Sequence, residues 1–222
     1  MPIRRPTPGV VTPLPVTSYF TTFPTDENPL SEGGRWRVGS SASNNYQNPR
    51  TLSGDCFGAN TSSGFDDCLA HVQGMQIPNN HRIDVTIRKT AGYTPPDSHE
   101  VGIYGRMVIG SQFVRGYEIL IAFSPGAFQV IKWLGVATTF PENFTILSTS
   151  GNPPAVDDGD VFRVDFIGNV ITCYRNGVLF NTTTDTDSPW LDGNPGMGFF
   201  IRPGTGADPS KYCIRDWMAQ AA

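Results

Sequence analysis

The stretch "VFRVDFIGNVITCYRNGVLFNTTT", residues 161–184, constrains the fold more than any other part of the chain. Phe162, Val164 and Phe166 alternate with Arg163 and Asp165, the two-residue period of a strand with one apolar and one wet face. A Gly168-Asn169 corner follows, then a second run, then Asn176-Gly177 and a third. Asn-Gly between apolar runs marks a type I′ hairpin, because that turn needs positive φ at both central residues. The spacing predicts strands over 161–167, 170–175 and 178–184, joined tightly enough that neighbours must run antiparallel.

The rest of the chain repeats this grammar. "SYFTTF" and "GRWRVGS" read as early strands, and "CLAHVQ" leads into "HRIDVTIRK", where Ile83, Val85 and Ile87 form one half-buried face. "EVGIYGRMVIG" and "GYEILIAF" are apolar on both faces, as central strands are. "AFQVIKWLG", "FTILSTS", "GMGFFIR" and "YCIRDWMA" complete the series. No segment sustains a 3.6-residue apolar period, so no helix is expected. With 24 Gly and 19 Pro in 222 residues, turn formers are frequent enough to join about a dozen short strands. The fold class that follows is all-β, an antiparallel two-sheet sandwich. Residues 1–17 stand apart, since Pro2, Pro6, Pro8, Pro13 and Pro15 predict an extended arm. The domain itself is expected to span 18–222, with its first and last strands paired.

Charge excludes some functions. Lys and Arg number 16 against 20 Asp and Glu, a net charge of −4 with no basic stripe, so no nucleic-acid partner is expected. No apolar run approaches the ~18 residues of a membrane helix, and the opening segment lacks the apolar centre of a secretory signal. Cys56, Cys68, Cys173 and Cys213 lack zinc-site spacing. They read as buried thiols, with Cys56–Cys68 or Cys173–Cys213 disulfides as the alternative. Sequons at Asn60, Asn143 and Asn181 matter only in a eukaryotic secretory host.

Two stretches together carry a resemblance: "SYFTTFPTDENPLSEGGRWRVG", and "DDGDVFRVDFIGNVITCYRNGVLFNTTTDTD" followed by "PGMGFFI" and the terminal "IRDWMA". Over roughly residues 18–220 the chain resembles the concanavalin A-like lectin/glucanase jelly roll in its laminin-G-like branch. It is especially similar to such domains in bacteriophage structural proteins and bacterial surface proteins. The resemblance implies a jelly roll. Its functional range runs from lectins and carbohydrate-binding modules to glycosidases, lyases and scaffolds.

Catalytic runs are absent. A retaining glycosidase needs two carboxylates about 5–5.5 Å apart, which the glucanase branch supplies from alternate positions of one strand. Here Glu118 is followed two positions on by Leu120, and Asp157, Asp158 and Asp160 fall at a turn. A polysaccharide lyase needs a base beside a group that neutralises the uronate. His99, Tyr104 and Arg106 are the best local set, with Tyr104 and Arg106 expected on one face. No nucleophile elbow, P-loop or His-Glu-x-x-His is present. A polysaccharide-active enzyme, lyase before hydrolase, is therefore the alternative.

Sugar binding asks for aromatic rings flanked by amides and charged groups. Trp36 and Trp217 read as core. The candidate carbohydrate-binding residues are Trp133, Trp190, Lys132, Tyr104 and Arg106. No cofactor is called for, apart from Ca²⁺, a hard cation for which Asp185, Asp187 and Asp192, or Asp66 and Asp67, are the candidate ligands. The leading expectation is a non-catalytic virion decoration or appendage protein at a particle surface or outside the cell. Its lectin-like domain would take a glycan, its arm would join other virion subunits, and it would form a homo-oligomer.

Overall fold

A computed structural model describes residues 17–42, 46–59, 67–94, 99–122, 128–136, 144–150, 155–202 and 204–222. Fifteen strands are named among them: β1 (Ser18–Thr21), β2 (Trp36–Val38), β3 (Arg50–Leu52), β4 (Asp55–Phe57), β5 (Cys68–Val72), β6 (His81–Lys89), β7 (His99–Gly110), β8 (Phe113–Ala122), β9 (Phe128–Val136), β10 (Phe144–Ser150), β11 (Val161–Ile167), β12 (Val170–Arg175), β13 (Val178–Thr184), β14 (Asn194–Ile201) and β15 (Tyr212–Ala221). Single 3₁₀ turns at Gly39–Ser41 and Pro209–Lys211 are the only helical elements among the described residues. The predicted arm lies outside the described residues except for Thr17.

The strands form two antiparallel sheets. One has eight strands in the order β13-β12-β11-β6-β15-β4-β3, with β1 added beside β15; the other has seven, β10-β9-β8-β7-β14-β5-β2. The first and last strands pair as their sequences predict, with Ser18 opposite Gln220 and Thr21 opposite Trp217. The two strands the sequence did not announce, β3 and β4, are three residues each and form a hairpin at the end of the eight-stranded sheet.

The hairpins at 161–184 form as read. Asn176 and Gly177 both have positive φ, 50° and 78°. The Asn176 amide ties the turn down: its Oδ1 accepts from the Val161 N–H at 2.9 Å and its Nδ2 donates to Asp160 Oδ1 at 2.7 Å. Asp160 also accepts from the Asp157 N–H and from Arg175, so this acidic cluster is turn architecture. Phe162, Val164 and Phe166 enter the space between the sheets with Ile83, Val85 and Ile87. Facing them from the seven-stranded sheet are Val101, Ile103, Ile119 and Val130. Trp36 and Trp217 meet there edge to face at 4.9 Å, core residues as expected. All four cysteines are buried free thiols, and burial raises Cys56, Cys173 and Cys213 far above an ordinary thiol.

The outward faces of the two sheets differ in kind. On the eight-stranded sheet Asp165 pairs with Arg82 at 2.9 Å and with Arg163 at 3.6 Å, and Arg163 stacks on Tyr174. That is the wet face the alternation predicted. The seven-stranded sheet turns a second apolar cluster outward, containing Leu69, Tyr104, Leu120, Ile131 and Trp133. One edge of it packs against Ala42 and Tyr46.

Candidate functional site

The outward cluster of the seven-stranded sheet is itself largely buried, with Trp133 5% and Tyr104 1% exposed, and it exposes large apolar side chains at Phe144 and Ile146. Cross-strand register sets its layout. Ile146, Ile131, Glu118, Tyr104, Gly196 and His71 form one row across β10, β9, β8, β7, β14 and β5. Thr149, Gln129, Leu120, Gly102, Gly198 and Leu69 form the next, and Ala122 and Glu100 begin a third beside Phe200. Phe144 lies opposite Trp133, their rings 5.9 Å apart. Phe144 and Ile146 are 43% and 45% exposed, whereas Trp133 beside them is buried.

The floor is shaped by glycine. A Cβ at Gly198 would sit 2.2 Å from the Tyr104 ring, so only glycine lets that ring lie down on β14. Over Gly102, next to the same ring, stands Glu118, whose Oε1 would be 2.9 Å from a Cβ there. Its other oxygen accepts from the Trp133 indole N–H at 2.9 Å. Glu118 also hydrogen-bonds the Tyr104 hydroxyl, which its own burial and that carboxylate hold far above the ordinary phenol range. Two residues from Gly102 on the same face is Glu100. Burial first, and the charge of Glu118 second, push its carboxyl up to about 8, so it keeps its proton at neutral pH. The site therefore couples two carboxyls, one held by indole and phenol donors and the other half-buried and protonated. They stand on neighbouring strands rather than at alternate positions of one.

The five predicted sugar-binding residues do not share this face. Trp133 and Tyr104 do, joined through Glu118. Lys132, next to Trp133 in a strand, points to the opposite side; there its ammonium meets Asp185 at 2.8 Å and the carbonyls of Asp187 and Ser188. Tyr117, opposite Lys132 in register, donates to the same Asp185 carboxylate at 2.7 Å. Trp190 closes this end of the sandwich. Its indole N–H donates to the Trp133 carbonyl at 3.1 Å, and Arg115 and Lys132 flank its ring at 4.7 and 5.6 Å. Arg106 does not share a face with Tyr104, because the pairing of β7 with β8 shifts between Gly105 and Val108 and Arg106 takes a φ of 52°. That bulge turns its side chain inward, to the carbonyls of Asn79, Gly168 and Trp190. The lyase trio likewise stays apart, since His99 faces the core against Tyr212 at 5.3 Å.

The predicted calcium ligands do not meet either. Asp185 is occupied by Lys132 and Tyr117. Burial alone would raise its carboxyl, but the Lys132, Tyr117 and Asp187 N–H hydrogen bonds outweigh that and hold it below the carboxylate range. Asp192 pairs with Arg115 at 2.8 Å, and the Asp187 carboxylate lies 3.4 Å from the Ser188 hydroxyl. Among the described residues no three His, Cys, Asp or Glu side chains are placed to hold a metal. Asp66 lies outside the described residues.

Two facing antiparallel sheets, with the chain's first and last strands side by side, decide the architecture. The carbohydrate-binding module CBM66 from Bacillus subtilis superposes with a TM-score of 0.55 at 10% identity, covering 87% of this chain and 96% of that one. The fold is the concanavalin A-like jelly roll. The Emp47p carbohydrate recognition domain shares it, with a TM-score of 0.56, 13% identity and coverages of 93% and 95%. So does the β-glucanase of Bacillus licheniformis, with a TM-score of 0.57, 16% identity and coverages of 93% and 99%. No protein-family model matches this jelly roll, and no curated protein matches it in sequence.

Glu100, Gln129, Phe144 and Ile146 were missed as site residues. Parity along β7 places Glu100 with Tyr104, which was legible. That Glu118 leans over Gly102 toward it depends on the register of β7 against β8, which a bulge resets.

Proposed function

We propose that this jelly roll is a non-catalytic recognition domain that binds carbohydrate on the outer face of its seven-stranded sheet. One observation carries the reading: exposed Phe144 and Ile146 continue the buried Trp133–Ile131 floor, with the Gln129 amide and the Glu100 and Glu118 carboxyls set into it. A pyranose offers an apolar face to stack on such rings and hydroxyls for the amide and carboxyls. The likeness to a carbohydrate-binding module and a carbohydrate recognition domain supports the reading through the fold. Its finer form is a virion appendage or surface protein, joined to neighbouring subunits by the Pro-rich arm 1–17 and self-associating as virion proteins do. The sequence of the arm and the family resemblance support that setting. Screening the full chain on a glycan array tests the first statement, and silence across neutral and acidic glycans refutes it. Loss of particle incorporation on deleting residues 1–17 tests the second.

Glu100 and Glu118 favour one competing reading, a glycoside hydrolase. Glu100 holds its proton at neutral pH as a general acid must, with a second carboxyl nearby. Reducing-end release from β-glucans that Glu100→Gln and Glu118→Gln both abolish would establish it. Release no greater than a blank leaves the recognition domain.

A further inference from the structure

A recess of about 410 Å³ lies away from that face, at the end of the eight-stranded sheet. Its walls are the β3–β4 hairpin, the turn around Asp26 and the start of the Pro209–Lys211 segment; its lining includes Asp26, Arg50, Leu52, Phe57, Asp208 and Ser210. Arg50 and Phe57 are a cross-strand pair, and the guanidinium lies 5.0 Å over the Phe57 ring. The stacking fixes the plane of the cation.

The Arg50 guanidinium makes no hydrogen bond or ion pair among the described residues. Its Nε is sealed from solvent without a hydrogen-bond partner. The surrounding carboxylates do not satisfy the guanidinium because each is engaged elsewhere. Asp26 Oδ1 accepts from the Ser53 N–H at 2.7 Å, and Glu27 Oε2 accepts from the N–H groups of Ser31 and Glu32 at 2.7 Å each. Asp208 accepts from the Ser210 N–H and hydroxyl at 3.1 and 2.7 Å, with Lys211 at 3.5 Å. The recess therefore holds a guanidinium stacked on an aromatic ring, its Nε without a hydrogen-bond partner.

We propose that this recess binds the carboxylate of a uronic acid residue. A planar carboxylate matches the guanidinium fork with two parallel hydrogen bonds. The carboxylates of Asp26, Glu27 and Asp208 also line the recess and oppose any anion, so binding rests on the two-bond match to the guanidinium, and a doubly charged phosphate is opposed more strongly than a carboxylate. Leu52 and Phe57 supply apolar surface for the sugar ring, and Asp26 and Ser210 oxygens can accept from its hydroxyls. The site is independent of the outer face of the other sheet and stands or falls separately from it.

Isothermal titration of the full chain with a galacturonic acid trimer, and separately with a neutral galactose trimer, tests the proposal. The acidic trimer should bind and the neutral one should bind at least about tenfold more weakly. Arg50→Gln should weaken the acidic trimer by a similar factor while moving the melting temperature by no more than a few degrees, because the side chain gives up only its stacking on Phe57. Arg50→Lys, which keeps the charge without the fork, should also lose affinity and serves if the glutamine variant does not fold. Val178→Ala, at an exposed position on β13 at the opposite end of the same sheet, should leave this binding intact. Equal affinity for the two trimers, no binding of the acidic one, unchanged binding in both Arg50 variants, or loss in Val178→Ala would each overturn the assignment.

Discussion

Replacing Glu100 by glutamine should change how the stability of the fold responds to pH. In the native state burial and Glu118 push the Glu100 carboxyl up to about 8, whereas the unfolded chain ionises it near 4.5. The folded state therefore binds more protons than the unfolded state between those values, and stability falls as pH rises. The stabilisation is fully present below pH 4.5 and is lost by the time pH has passed 8. At ~1.4 kcal/mol for each factor of ten, the loss between pH 5 and pH 8.5 is at most ~4 kcal/mol. Solvent reaching the half-buried carboxyl brings it to roughly 2–4 kcal/mol. Urea denaturation of wild type and Glu100→Gln at pH 5 and pH 8.5 reads the difference directly. Wild type should lose roughly 2–4 kcal/mol more than the variant across that range, while histidines and cysteines cancel in the comparison. Parallel pH profiles would mean that Glu100 titrates as an ordinary surface carboxyl, and the carboxyl coupling on this face would be wrong.

Acid should stress the fold from the other side. Burial lowers His71, His81 and His99 to about 4 each, so the unfolded chain binds more protons between 4 and 6.5, and stability present above pH 6.5 is lost as pH falls through 4. His99→Phe should flatten the decline between pH 7 and pH 4 by about 2–3 kcal/mol; an unchanged slope would show that His99 titrates normally. Lys132→Met should cost ~3–5 kcal/mol because it strands the buried Asp185 carboxylate. Lys132→Met with Asp185→Leu should recover most of that in denaturant melts, and a single variant within ~1 kcal/mol of wild type would make the pair an ordinary surface contact.

What the sequence revealed divides by the range of the interaction. The β11–β12–β13 hairpins were legible because Phe162, Val164 and Phe166 alternate and Asn176-Gly177 specifies its own turn, both local effects. The pairing of β1 with β15 was legible from the family resemblance and the closing strand. β3 and β4 were not, since three residues are too few to display a period and their pairing depends on β15 across the sheet. Alternation also separates Lys132 from Trp133, so grouping them in one site conflicted with a rule already in hand. Arg106 is different: its departure from the face of Tyr104 comes from a bulge that the sequence does not mark. The unpartnered guanidinium of Arg50 was invisible for the same reason as β3, because its surroundings arise where separate turns converge. The virion setting and the arm's partners rest on sequence and resemblance alone.

Carbohydrate titration of wild type against Phe144→Ala tests the central claim most directly. Phe144 is exposed, so truncating it should leave the melting temperature within a degree or two, yet removing its ring should weaken a saccharide identified on the array by about tenfold. A ligand that binds both proteins equally, or no ligand at all, would contradict carbohydrate recognition on the outer face of the seven-stranded sheet.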